Sequence, residues 1–240
     1  MGKELIISKD PKSPIAEIFR TLRTNIQFMT SNQGLKTLLV TSSTPGEGKS
    51  WVSTNLAIAF AGENKKVLLI DSDMRKGRIN TIFDMEKRPG LSNYLSGVSE
   101  LEDKKDIFSY IRETNIDGLH IMPAGDIPPN PSELLITEEM QELITKIKNT
   151  FDIVIFDGPP ILLVTDSVIL SRQVDTTLIV TSYKTTKMGD VEKVKKMIEN
   201  VGGNISGVVI NKVPVNAKKY ENTYYYGNKE RGNVKNDWCT

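Results

Sequence analysis

The sequence predicts an α/β fold: a doubly wound, mainly parallel sheet with helices on both faces. Three observations predict it. Short β-branched apolar runs alternate with helix-length segments, the order expected of repeated strand–helix units. The runs are continuously apolar, as strands buried on both faces are, rather than alternating. One run ends in a glycine-rich turn and two others end in aspartates, at the strand ends where such sheets gather their ligands.

The elements follow in order. SPIAEIFRTLRTNIQF (13–28) reads as a helix, with Ser13 as its N-cap and Pro14 at its first position. TLLVTSS (37–43) is a strand and KSWVSTNLAIAFAG (49–62) the helix after it. Further strands are KVLLID (66–71), LHIMP (119–123), DIVIFD (152–157), TTLIVTS (176–182) and ISGVVINK (205–212). Further helices are 131–149, 165–173 and 187–200. The apolar period is lost near residue 214, which divides the chain into a domain at 1–213 and a flexible tail at 214–240.

Composition narrows the possible functions. With 38% hydrophobic and 25% charged residues in 240, the chain can build one globular core. A net charge of +1 provides no overall field for nucleic acid. The local basic excess from Lys184 to Lys219 reads as a solvated helix face or a binding patch. The single cysteine, Cys239, supports neither a disulfide framework nor a zinc site, and points to a reducing cytoplasm. MGKELIISKDPKSP has no long apolar run after its lysine, so no secretory leader is expected. Runs such as IVIF and ILLV are too short to cross a bilayer, so membrane work would require a recruiting partner.

TLLVTSSTPGEGKSW runs strand, glycine-rich turn, helix. In a phosphate loop the backbone N–H groups of the turn and of the helix start converge on phosphate. Here the loop is Pro45, Gly46, Glu47, Gly48, Lys49, Ser50 and Trp51. Lys49 reaches the β- and γ-phosphates and the Ser50 hydroxyl can ligate Mg²⁺. The usual first glycine is replaced by Ser43. VLLIDSDMR places Asp71 and Asp73 two residues apart, on one side of an extended chain, and DIVIFDGPP ends in Asp157. Three acids beside a triphosphate suit Mg²⁺ binding and proton acceptance. Together these features predict a P-loop NTPase-like domain using ATP and Mg²⁺.

SSTPGEGKS, LLIDSDMR and IVIFDGPP together resemble the bacterial tyrosine kinases of capsule and exopolysaccharide synthesis. EIFRTLRTNIQF matches that family's E-x-x-R-x-x-R segment with Glu17, Arg20 and Arg23, and YENTYYYG matches its terminal tyrosine cluster. The resemblance covers essentially the whole chain. The three phosphate motifs are shared with partition and septum-placement ATPases, but those resemble K-G-G-x-G-K-[ST], and their signature lysine is Thr44 here.

The resemblance implies that Lys49 and the loop backbone bind ATP, and that Ser50, Asp73 and Asp157 organise Mg²⁺. Asp71 is implied as the base for a tyrosine hydroxyl. Asn211 either reads adenine or shapes a turn. Arg75 is a candidate for a phosphate or neighbour-subunit contact, or a surface residue. Trp51 departs from the family's threonine and removes a hydroxyl near the α-phosphate. Glu17, Arg20 and Arg23 are implied as a subunit contact that closes a ring, against the alternative of a solvated helix face. Tyr220, Tyr224, Tyr225 and Tyr226 are the implied phosphorylation sites. The implied partners are a transmembrane polysaccharide chain-length regulator supplying an activating cytoplasmic tail, protein tyrosine substrates and a cognate phosphatase. The implied location is cytoplasmic, at the inner face of the membrane. The competing reading is a partition-type ATPase that uses ATP as a dimerisation switch.

Overall fold

A computed structural model of the chain describes residues 4–29, 34–99, 101–103 and 105–214. The four tail tyrosines and Cys239 lie outside the described residues. Seven strands form one sheet: β1 (Thr37–Ser42), β2 (Val67–Asp71), β3 (Arg112–Glu113), β4 (Leu119–Met122), β5 (Ile153–Asp157), β6 (Thr176–Ser182) and β7 (Ile205–Asn211). Their spatial order is β3-β4-β2-β5-β1-β6-β7, parallel throughout except for β3, which pairs antiparallel with β4. The mainly parallel, doubly wound architecture is the one expected.

Strand alternation explains why the apolar runs are continuous. Leu38 and Val40, Val67 and Leu69, and Ile153 and Ile155 face one core. Leu39, Leu68, Ile70, Val154 and Phe156 face the other. Both sides of these three central strands, β1, β2 and β5, are therefore buried, which is why their runs are apolar on both faces. The first face carries α1 (Ile6–Lys9), α2 (Pro14–Met29) and α3 (Lys49–Ala61). The short helices α4 (Ile79–Ile82) and α5 (Leu91–Ser96) follow β2. α6 (Pro131–Leu134) and α7 (Glu138–Thr150) precede β5; α8 (Asp166–Gln173) and α9 (Met188–Asn200) come after it. α5, α7 and α8 cover the second face, extended by α9 against Ile179. α3 lies between the sheet and α1 and α2, so its residues from Ser50 to Ala61 are buried almost without exception.

Three elements differ from expectation. The helix read at 131–149 is two: Thr137 interrupts it and caps α7, its hydroxyl accepting the Met140 N–H. β3 is two residues long and α5 only six, too short to show a period. Ser13 does cap α2, accepting the Ala16 N–H at 3.2 Å.

The segment before α2 is pinned to α3 by one buried side chain. Asn55 Oδ1 accepts the N–H groups of Ile6 (3.1 Å) and Ile7 (3.4 Å), and its Nδ2 donates to the carbonyls of Glu4 and Trp51, both at 2.9 Å. Leu5 is fully buried as a result. Asn55→Ala removes the side-chain partner of the Ile7 N–H and the tie of α3 to the Ile6 N–H and the Glu4 carbonyl, which then keep only their bond to each other. It should cost about 1–3 kcal/mol and make the N-terminal segment cleavable in limited proteolysis. A variant with wild-type stability and protease resistance would show that Leu5 and Ile7 hold the segment without Asn55.

Candidate active site

The sheet order brings the three motifs together. β2, β5 and β1 are consecutive neighbours, and Asp71 of β2 is the register partner of Asp157 of β5. Val40, two residues before the end of β1, is paired with Asp157 on the other side. The phosphate loop leaves β1 beside both carboxylates. Ser72 fixes the junction, with its N–H and hydroxyl both donating to the Asp157 carbonyl, at 3.0 and 2.9 Å.

The loop ends at Gly48 (φ 96°), the N-cap of α3, where no side chain caps the helix start. Uncapped first-turn N–H groups with the positive end of the helix dipole form a phosphate site. A Cβ at Gly48 would sit 2.1 Å from Asn211 Nδ2, so only glycine fits. The loop is braced from outside. Glu47 is buried, and its Oε2 accepts the Thr44 N–H at 2.9 Å while its Oε1 accepts the Thr186 hydroxyl. Asn211 Nδ2 donates to the Glu47 carbonyl (2.8 Å) and Lys212 Nζ to the Gly46 carbonyl (2.6 Å).

Lys49 Nζ lies at the centre of the acids. It donates to Asp73 Oδ2 at 3.1 Å and to Ser50 Oγ at 3.4 Å, and stands 3.8 Å from Asp157 Oδ2. Burial works to lower the Lys49 pKa, but the charges of Asp157, Asp73 and Asp71 together hold it above its ordinary value. Burial and the Asp157 charge push Asp71 up to about 7. Burial likewise raises Asp157, against the opposing attraction of Lys49. Among the described residues neither carboxylate oxygen of Asp157 has a hydrogen-bond partner. Such orphaned buried acceptors suit a cation. With Ser50 Oγ and Asp73 beside them, the donors are the hydroxyl and carboxylate oxygens that Mg²⁺ takes, leaving other positions for phosphate and water. No cluster of three or more His, Cys, Asp or Glu residues forms a closed metal cage among the described residues.

A cavity of about 410 Å³ opens from this point. Pro45, Gly46, Gly48, Lys49, Ser50 and Trp51 form its loop end, with Asp73 on its wall. Pro159, Pro160, Leu163 and Val164 form an apolar side. Glu4, Lys76, Arg78 and Ile82 line the rest. Trp51 faces the cavity and packs edge-on against Phe19 at 5.1 Å.

Several candidates are placed differently from the sequence reading. Asp71 and Asp73 do not share a side by strand alternation, because β2 ends at Asp71 and Asp73 lies in the following turn. Asp71 is fully buried and does not line the cavity. Its Oδ1 accepts the Asp73 N–H (3.2 Å) and its Oδ2 the Ile79 N–H (2.9 Å). Gly77 packs against that carboxylate so closely that a Cβ would meet Oδ2 at 2.6 Å. The Glu47 and Asn211 side chains brace the loop and do not line the cavity. Arg75 makes a two-point pair with fully buried Asp166, Nε to Oδ2 at 3.0 Å and an Nη to Oδ1 at 3.1 Å. Arg23 turns inward, bonding the Ala59 carbonyl at 2.7 Å and Glu63 at 2.9 Å, whereas Arg20 pairs with Glu17 on the half-exposed face of α2. Glu4, Lys76, Arg78, Thr186 and Lys212 were not singled out in the sequence. Only Lys212, next to Asn211, carried any local signal.

The buried Asp157 carboxylate lacks a hydrogen bond among the described residues and meets Lys49 at 3.8 Å. Its pKa is raised in the folded chain, so the cost of its charge is absent below about pH 4 and complete once pH exceeds the raised value. Asp157→Asn should therefore raise the Tm of the nucleotide-free chain at pH 8, by about 2–4 °C for each kcal/mol relieved. The gain should shrink toward pH 4, and the variant should lose the extra stability that Mg-ADP gives the wild type. Calorimetry across pH checks this; a lower Tm at pH 8 would contradict it.

Residues 31–208 match the model of a family described as an AAA domain. The chain is 40% identical over 216 residues to the tyrosine-protein kinase CpsD of Streptococcus agalactiae, covering 90% of this chain and 91% of that one. It is 35% identical to the longer tyrosine-protein kinase Wzc of Salmonella typhimurium, a match that spans 93% of this chain and 30% of Wzc. Among solved structures, the kinase domain of the Escherichia coli tyrosine kinase ETK superposes with a TM-score of 0.80 at 32% identity, covering 88% of this chain and 82% of that one. With its phosphate loop, its paired acid-bearing strands and a threonine at the signature-lysine position, the chain belongs to the bacterial tyrosine-protein kinases, P-loop enzymes that transfer phosphate to protein tyrosine.

Proposed function

We propose that the enzyme phosphorylates its own C-terminal cluster, Tyr220, Tyr224, Tyr225 and Tyr226, with ATP and Mg²⁺, and that this regulates capsule or exopolysaccharide synthesis. The observation that carries the proposal is the root of the tail. Asn211 and Lys212 bond the Glu47 and Gly46 carbonyls, so the chain enters the tail from the phosphate loop itself. Tyr220 is six residues beyond Pro214, a reach of roughly 20 Å at 3.3–3.6 Å per residue.

In the reaction a tyrosine oxygen bonds to the γ-phosphorus, the bond to the β–γ bridging oxygen breaks, ADP leaves and the phenol proton passes to a base. Lys49 and the loop N–H groups hold the phosphates in line, so catalysis is mostly positioning and charge neutralisation. Ser50, Asp73 and Asp157 would hold Mg²⁺, which when bound offsets triphosphate charge. Asp71 is the proposed base. A carboxyl raised to about 7 accepts a proton near neutral pH. Each oxygen accepts one backbone N–H and keeps a lone pair for a proton, but the carboxylate is fully buried, so the acceptor reaches it through movement of the Asp73–Ile79 turn.

Glu17 and Arg20 are the proposed ring contact, with Arg23 holding α2 in place. Among the described residues no helix is long and apolar enough to cross a membrane. We infer recruitment to the inner face of the membrane by a transmembrane chain-length regulator, whose cytoplasmic tail activates the kinase, and reversal by a cognate phosphatase. The competing partition-type switch is disfavoured by Thr44, whose N–H and carbonyl are bonded to Glu47 and Ser42 within the loop.

Incubation with Mg-ATP and the activating tail, followed by phosphotyrosine mapping, tests the proposal. Label should fall on the cluster, vanish in Lys49→Met, and drop about 100-fold or more in rate in Asp71→Asn, in line with loss of a general base. ATP turnover without phosphotyrosine would support the switch, and label confined to other tyrosines would remove the tail from the mechanism.

A further inference from the structure

The cavity continues past Lys49 to a mouth whose charges have not yet been given a role. Four charged side chains stand there: Glu4, Arg75, Lys76 and Arg78. Arg75 is committed to Asp166. Lys76 is exposed and has no acidic partner among the described residues. Arg78, 63% exposed, meets Glu4, 36% exposed, at 3.1 Å across the mouth. An exposed pair of this kind adds little stability and exchanges readily with another carboxylate. Glu4 cannot drift far, because Asn55 holds its backbone carbonyl. Its carboxylate therefore marks a place beside Arg78, in the cavity that Lys76 also lines, where a ligand carboxylate would be received. Pro159, Pro160 and Leu163, the last 62% exposed, give an adjacent apolar surface suited to a phenol ring whose hydroxyl points toward Lys49.

We propose that this mouth is an acceptor subsite selecting a tyrosine followed by an acidic residue, with Arg78 and Lys76 binding the acid and Glu4 acting as a built-in competitor for it. This rests on the acceptor entering the cavity described above. The chain carries one such pair near its end, Tyr220-Glu221, whereas Tyr224, Tyr225 and Tyr226 are followed by tyrosine or glycine. The subsite therefore distinguishes Tyr220 from the other three, and extends to other proteins bearing tyrosine beside an acid. Arg78 and Lys76 are specificity-determining residues here and take no part in phosphate transfer.

The test uses the full chain with its four tail tyrosines changed to phenylalanine, and the peptides AKKYENT and AKKYQNT as acceptors. The glutamate peptide should have the higher kcat/KM, by up to about fivefold, the most that an exposed ion pair supplies, with the difference in KM. Arg78→Gln and Lys76→Gln should each shrink the ratio while the glutamine peptide is used as before. Glu4→Gln should enlarge it, a gain that a merely structural role would not give. Equal use of the two peptides by wild type, or a ratio untouched by Arg78→Gln and Lys76→Gln, would overturn the subsite. So would failure to label either peptide by a chain whose own unmodified tail is labelled. An unmodified tail that never acquires phosphotyrosine would instead overturn the underlying kinase reading, and the subsite with it.

Discussion

The site depends on one ammonium set among three buried carboxylates. Lys49 is 3.1 Å from Asp73 and 3.8 Å from Asp157, and Asp71 adds its charge from behind. The cluster carries more negative than positive charge in a place that water scarcely enters, a costly arrangement. Its effect is visible in the raised pKa values of Asp71 and Asp157 and in the unpaired oxygens of Asp157. A protein selected for stability alone would not keep it. A divalent cation would offset that excess of negative charge, and Lys49 could then turn toward an incoming phosphate.

Much of the surrounding fold keeps that cluster in register. The parallel pairing of β2 with β5 makes Asp71 and Asp157 neighbours. The nearly complete burial of α3 fixes the helix whose N-terminus forms the phosphate site. The loop is also held at two points remote in sequence: Thr186 before α9, and Asn211 at the end of β7 with Lys212 just beyond it. These contacts explain the residue choices on the loop. Gly48 must be glycine because Asn211 occupies the space of a Cβ, and Glu47 is acidic because it receives an N–H and a hydroxyl while facing away from the cavity. In sequence, both loop residues read simply as phosphate ligands.

What the sequence revealed follows from range. Runs such as VLLID and IVIFD read as buried parallel strands because every residue is apolar until the terminal aspartate, and β2 and β5 end at those aspartates. The strand–turn–helix of the phosphate loop is equally local. What stayed hidden is non-local. Arg75 and Asp166 are 91 residues apart in sequence, and Glu4 and Arg78 are 74 apart. Nothing in a one-dimensional pattern pairs them. Arg23 shows the same limit on a smaller scale. Its spacing from Glu17 and Arg20 suggests a common exposed face, but α2 packs on α3, and the last arginine of the motif lies near the seam, where Ala59 and Glu63 capture it. The split at Thr137 escaped notice because both flanking pieces have helix-forming sequences, and only the cap marks the break.

The same reasoning bears on why a fold shared with nucleotide-dependent switches can serve a kinase. A switch of the partition type completes its phosphate site with a lysine reaching across a dimer. Here Thr44 occupies the position from which that lysine would extend, and its backbone is tied to Glu47 and Ser42 inside its own loop. The cavity instead ends in an apolar slope, Pro159 to Leu163, and a pair of cations, one of them covered only by the weakly held Glu4 carboxylate. The acceptor proposed above, an aromatic ring followed by an acid, would match both features of the mouth, the apolar slope and the cations.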